Sequence, residues 1–295
     1  MSIISRYEPT EDPEVLEWWK LTPAQRFAES ERLWATYLAL GGSLEPSPIG
    51  KVLSTFRTHR VRALLMGGQA CILYGAAEFS RDIDVAVLAE PNNLDRLQHA
   101  LDLLRAEPVF FPPLSRDALL RGHACHFRLH DPAVERLRVD VMSVLHGCDS
   151  FLGLWRRRTQ VVLPSVGSVS VLSLPDLVQA KKTQRDKDWP MVRRLVEADY
   201  HRRPRRPPRR QIEFWLREAR TPELLVELGR KYPDSAHKAA SSRPAVRLAL
   251  KGRLRQVAVA LRVEETACRK ADQDYWKPLR EELFAWRSER RRRST

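Results

Sequence analysis

Apolar positions along the chain fall into three successive textures. After Thr22-Pro23, the run AQRFAESERLWATYLAL places Phe27, Leu33, Tyr37 and Leu40 at helical spacing, so it predicts an amphipathic helix stopped by Gly41-Gly42. Trp18 and Trp19 precede it as a packing anchor, and Lys51 to His59 predicts a second short helix. From 61 to 200, short apolar runs alternate with helical periodicity. Strands are expected at 62–66 and 83–88 with a helix over 69–76 between them, then a helix over 93–105 and a short strand near Val109. HACHFRLH and RLRVDVMS read as two strands joined by a turn, strands follow at 160–163 and 168–172, and Ser173 caps a helix over 174–187. Beyond Tyr200, HRRPRRPPRRQ is broken by proline and reads as an exposed, semi-stiff linker. Helices are expected at 212–219, 222–231, 244–270 and 275–288, and the tail RSERRRRST reads as solvated and disordered.

This pattern predicts an α+β (α/β-like) chain in three segments: an N-terminal helical segment 1–60, a sheet-bearing domain 61–200, and an arginine-rich linker with a helical region over 201–295. The charge changes the picture more than its total of +14. Residues 1–184 carry 21 Lys or Arg against 21 Asp or Glu, whereas 185–295 carry 30 against 16. All the net positive charge therefore lies in the last third, which suits a polyanionic partner such as nucleic acid. Cys71, Cys125, Cys148 and Cys268 have no ligand-like spacing and read as reduced thiols. No signal-like layout opens the chain, and no apolar run approaches the roughly 18 residues of a membrane span, so a cytoplasmic location is expected.

The chemistry concentrates in Met66 to Val85, MGGQACILYGAAEFSRDIDV. A short apolar strand ends on Gly67-Gly68, a helix follows, and the next strand opens with Asp82 and Asp84. Residues i and i+2 of a strand share a face. Two adjacent carboxylates beside a glycine turn and a helix N-terminus can grip a divalent cation while backbone N–H groups receive a phosphate.

The spacing resembles the signature of the polymerase-beta-type nucleotidyltransferase superfamily: a hydrophobic residue, Gly-Gly or Gly-Ser, then Asp-x-Asp after ten to thirteen residues. Asp140, in LRVDVMS, matches the family's third carboxylate. The downstream run LSLPDLVQAKKTQRDKDW looks like that of the AbiE-type toxin branch, from toxin–antitoxin pairs. The chain departs from that branch at Glu78, where an Arg is common, and after Asp188, where a second acid pair is not completed. The resemblance covers about 61–200 and implies the superfamily's mixed sheet with flanking helices. It implies that Asp82, Asp84 and Asp140 are catalytic and hold Mg²⁺, two ions being expected. Gly67, Gly68, Ser80, Arg81, Lys181, Lys182 and Arg185 would bind the nucleoside triphosphate, with Lys181 and Arg185 four apart on one helix face.

The expectation is an Mg²⁺-dependent transferase moving a nucleoside monophosphate onto RNA, most naturally tRNA, as the toxin of a toxin–antitoxin pair with a possible antitoxin partner. Transfer to an antibiotic or a protein, and a non-catalytic nucleic-acid-binding role for the same fold, are the alternatives. His123, His126 and His130 do not share one strand face and are not read as a zinc site. Trp155 with Arg156-Arg157-Arg158 offers either a stacking lip for RNA or a plain helix end.

Overall fold

A computed structural model describes residues 13–39, 49–80, 82–132 and 137–294. Leu40, the Gly41-Gly42 stop and Arg81 lie outside them. The elements in order are α1 (Pro13–Lys20), α2 (Pro23–Ala39), α3 (Ile49–Thr58), β1 (Ala63–Met66), α4 (Gly67–Tyr74), β2 (Asp82–Val87), α5 (Pro91–Leu103), β3 (Ala106–Pro108), α6 (Arg116–Arg121), β4 (Cys125–Leu129) and β5 (Arg138–Met142). There follow α7 (Phe151–Arg157), β6 (Thr159–Leu163), β7 (Gly167–Val171), α8 (Leu174–Ala180), α9 (Asp188–His201), α10 (Arg209–Glu218), α11 (Pro222–Lys231), α12 (Pro233–Ala240), α13 (Pro244–Ala249) and α14 (Leu254–Ser294). The chain is thus mixed α/β. Among the described residues no helix is long and apolar enough to cross a membrane.

Two compact units divide the chain: one takes in the described part of Met1–Lys20 with Lys181–Gln273, the other Leu21–Ala180 with Asp274–Thr295. The seven strands among the described residues all lie in the second, in the order β3-β4-β5-β2-β1-β7-β6. β2 runs parallel to β5 and β1 parallel to β7, while the other pairs are antiparallel. α4 is apolar all round, and Gln69 to Leu73 are buried, so it sits inside the unit as a core helix. The fully buried Arg26 of α2 donates from Nε to the carbonyls of Ile72 (3.0 Å) and Leu73 (3.2 Å), satisfying the C-terminal end of α4. Opposite ends of α4 are therefore fixed by a guanidinium and by the glycine turn.

The expected boundary after Tyr200 falls inside the first unit. α9 runs on to His201, the Tyr200 ring packs edge-on against Trp215 of α10 at 5.1 Å, and Trp215 Nε1 donates to Asp199 at 2.7 Å. The proline-broken run is thus a turn between packed helices, and it remains exposed. In the same unit Trp18 and Trp19 are buried, Trp19 lying 5.6 Å from the His201 ring. Gly252, at φ +65°, separates α13 from α14 within the expected 244–270 helix. α14 then continues to Ser294 through the segment read as a disordered tail. Within the sheet-bearing unit it is tied down by Glu282, which pairs with His123 Nε2 at 2.8 Å and with Arg121, and by Trp286, 4.8 Å from the His123 ring.

Candidate active site

Strand register assembles the site. In the parallel β2–β5 pair Asp82 faces Arg138 and Asp84 faces Asp140, and across the antiparallel β4–β5 pair His126 faces Asp140. Residues directly opposite on neighbouring strands share a face, as do i and i+2 within one strand. Asp82, Asp84, Arg138, Asp140 and His126 therefore all stand on one side of the sheet. Met66, last residue of β1, pairs with Asp84, so the chain enters the glycine turn beside that carboxylate.

Close approach explains both glycines. Gly67 has φ +63°, and a Cβ there would lie 1.7 Å from Asp84 Oδ2; a Cβ at Gly68 would lie 2.2 Å from Ser80 Oγ. Only glycine allows the backbone this near to the two side chains. Ser80 is held locally: its carbonyl accepts from Gln69 Nε2 at 3.1 Å, and its hydroxyl lies 3.4 Å from the Asp82 carbonyl.

Two partners dominate the electrostatics: Arg138, which the sequence did not single out, and His126, which it offered only as a zinc ligand and set aside. Arg138 donates from Nε (3.0 Å) and Nη2 (2.6 Å) to the two oxygens of Asp140, and its Nη2 stands 3.9 Å from Asp82 Oδ2. His126 Nδ1 lies 2.8 Å from Asp140 Oδ1. Burial alone would raise the Asp140 carboxyl, but hydrogen bonds and charge from His126 and Arg138 outweigh it and hold the group below the usual carboxylate range. The Arg138 guanidinium is correspondingly pushed up, first by its bonds to Asp140 and then by the charges of Asp140, Asp82 and Asp84. An Arg two residues before an acid on one strand shares its face, and that spacing was the signal available beforehand.

Among the described residues no group of three or more His, Cys, Asp or Glu side chains converges to hold a metal ion. The donor chemistry still suits Mg²⁺, which takes one or two carboxylates plus waters and phosphate oxygens. The Asp82 side chain is 43% exposed, whereas that of Asp140 is 10% exposed and engaged by Arg138. Asp82 and Asp84 stand on one face of the sheet and are of the type such an ion takes, whereas Asp140 is held by Arg138 and His126.

The expected helix over 174–187 ends at Ala180, so Lys181 and Arg185 share no helix face. Side chains take over its backbone: Trp189 Nε1 donates to the Thr183 carbonyl at 2.9 Å, and Asp272 Oδ2 accepts from the Gln184 N–H at 2.9 Å. Lys181, Lys182 and Arg185 belong to the first unit and pair with its acids. Lys181 Nζ lies 3.0 Å and Arg185 Nε 2.7 Å from the fully buried Asp188, and Lys182 Nζ lies 2.7 Å from Glu218. Burial works to raise Asp188, but Lys181, Thr183 and Arg185 bring it below the usual range.

The three histidines go separate ways, to Glu282, to Asp140 and, at 3.5 Å, to Glu107. At α7, Arg157 is taken by Asp176 and Asp149, while Arg158 lies 4.2 Å over the Trp155 ring. Cys71 and Cys125 are buried cysteines, and burial pushes the Cys125 thiol up to about 11. Compared with known proteins, the sequence matches no family model and no curated protein at a significant level.

Proposed function

We propose that the chain is an Mg²⁺-dependent nucleotidyltransferase of the polymerase-beta type, which moves a nucleoside monophosphate from a nucleoside triphosphate onto RNA, with tRNA as the natural acceptor. The observation that carries the reading is the parallel register of Asp84 and Asp140 beside a turn whose Gly67 Cβ would meet Asp84 at 1.7 Å. A strand, a glycine turn and a core helix are thereby placed against a line of carboxylates. The mixed sheet, with β2 flanked by β1 and β5, is compatible with the superfamily's architecture.

Phosphoryl-type transfer demands positioning and charge neutralisation more than covalent help from the protein. Asp82 and Asp84, joined by Asp140, would hold the metal, which supplies charge neutralisation on the triphosphate and favours deprotonation of the acceptor hydroxyl. Gly67 and Gly68 let the first amides of α4 approach a phosphate. His126 and Arg138 fix the rotamer of Asp140 and keep it ionised. The surplus of basic residues in the last third favours RNA over a small acceptor. On this reading the protein acts as the toxin of a toxin–antitoxin pair in the cytoplasm.

Incubation with each of the four α-labelled triphosphates and Mg²⁺, alongside a tRNA pool, a protein extract and aminoglycosides, tests class, donor and acceptor together. Label in RNA is the expected result; label confined to protein or antibiotic would overturn the acceptor. One observation favours a second reading, a nucleic-acid-binding protein without catalysis: Arg138 stands among the acids, where a cation is needed. That reading predicts no metal-dependent product, and equal RNA binding by wild type and Asp82→Ala.

A further inference from the structure

From the end of α9 into the first turn of α10 the chain places six arginines, Arg202, Arg203, Arg205, Arg206, Arg209 and Arg210, within nine positions, all but Arg203 exposed. Two are anchored to the helix they leave: Arg202 Nε donates to the Ala198 carbonyl at 3.1 Å, and Arg203 Nη1 to the Tyr200 carbonyl at 2.9 Å. The Arg203 guanidinium also lies 3.9 Å over the Tyr200 ring, which Lys231 approaches to 5.7 Å. Pro204, Pro207 and Pro208 fix their own φ angles, so the turn is stiff without being helical.

The neighbouring acids are engaged, one of them by Arg209 of the run itself. Asp199 accepts from Gln211 and Trp215, Glu227 from Tyr200, and Glu213 pairs with Arg209 at 2.6 Å. Among the described residues Arg205, Arg206 and Arg210 have no acidic partner. The local field is correspondingly positive: burial and then the charges of Arg203, Lys20 and Arg202 lower the His201 pKa, and burial with Arg203 lowers that of Lys231. A concentration of like charge on a pre-stiffened turn is costly to the free protein and is relieved when phosphates replace its counterions.

We propose that the 202–210 arginine turn is a docking surface for the phosphodiester backbone of a nucleic acid. It reads charge and spacing rather than base sequence, because exposed arginines on a turn reach phosphates without entering a groove. The proposal deepens the RNA-acceptor reading, yet it rests on features of one unit that contain none of the three candidate catalytic acids.

The test is fluorescence-anisotropy binding by the full chain over a salt series, with a tRNA pool, a single-stranded DNA of similar length and polyglutamate as probes. The variant Arg205→Gln/Arg206→Gln/Arg210→Gln is compared with wild type and with Lys238→Gln/Lys251→Gln/Arg255→Gln, which removes equal charge from other exposed sites of the same unit. Each phosphate contact contributes about 0.7 to 0.9 to the slope of log affinity against log salt, so the arginine variant should lose about two to three from it and the control under one. Parallel losses on RNA and DNA support a backbone site, and so does a loss on either alone. Equal slopes for wild type and the arginine variant, equal losses in the control, or polyglutamate binding with the same arginine dependence would overturn it. Because binding is read without triphosphate, absence of transfer leaves this result unaffected, and intact transfer does not rescue it.

Discussion

Gly67 and Arg138 are the residues whose environments make the sharpest demands. A methyl group at Gly67 would collide with Asp84 Oδ2 and add left-handed strain of order 1–3 kcal/mol. Gly67→Ala should therefore lower the urea midpoint and displace the Asp84 carboxylate, so that transfer falls further than the unfolded fraction explains. Wild-type transfer by a folded Gly67→Ala protein would contradict the geometry. Arg138 satisfies Asp140 with the charge a metal would bring, so on the proposed reading the two would compete. A neighbouring charge at about 4 Å is worth several kcal/mol at a protein surface before screening, and Arg138→Gln should tighten Mn²⁺ binding by about tenfold, a difference of about 1.4 kcal/mol. Titration followed by the electron-spin signal of free Mn²⁺ reads this directly. Unchanged or weaker binding would mean that Arg138 does not occupy the cation's place.

At the scale of elements, the fate of the 174–187 segment separates a structural from a nucleotide-binding role for its cations. Lys181 is a partner of a carboxylate with no exposed surface, whereas Arg185 is 55% exposed. Lys181→Met should cost about 3 kcal/mol of stability, as removing one partner of a buried pair does, and Arg185→Met under about 1 kcal/mol. Urea unfolding at neutral pH checks the difference. Because the Asp188 pKa is lowered on folding, its stabilisation is present above the unfolded value of about 3.9 and is lost as pH falls through the lower folded value. The Lys181→Met deficit should shrink over that acid range. Strand periodicity showed β1, β2, β4 and β5 and placed Asp82, Asp84 and Asp140 on strands, because alternation and glycine punctuation are local signals. The ends of α11 were legible, at 222 and 231, whereas those of α8 and α14 and their partners were not. Beyond Ala180 the backbone at Thr183 and Gln184 is held by Trp189 and Asp272, and along α14 Glu282 and Trp286 are fixed against a residue some 160 positions away. Arg138 was visible as an Arg-x-Asp spacing, yet its pairing became evident only from the register.

For the whole molecule, the larger part of the basic surplus read from sequence falls in the unit that joins Lys181–Gln273 to the N-terminal helix and carries the arginine turn, while the carboxylates lie in the sheet-bearing unit, which also takes in 274–295. Chemistry is thus proposed for the sheet and polyanion capture for the arginine turn. Its central claim is that the carboxylates beside the glycine turn carry out nucleotide transfer. Label transfer from α-labelled triphosphates to a tRNA pool, by wild type and by Asp84→Asn, tests it most directly. The account predicts labelled RNA that requires Mg²⁺ and falls by at least about a hundredfold in Asp84→Asn, the scale on which loss of a charge-stabilising group acts in a preorganised site. Labelling that Asp84→Asn leaves intact, or none with any of the four triphosphates, would contradict it.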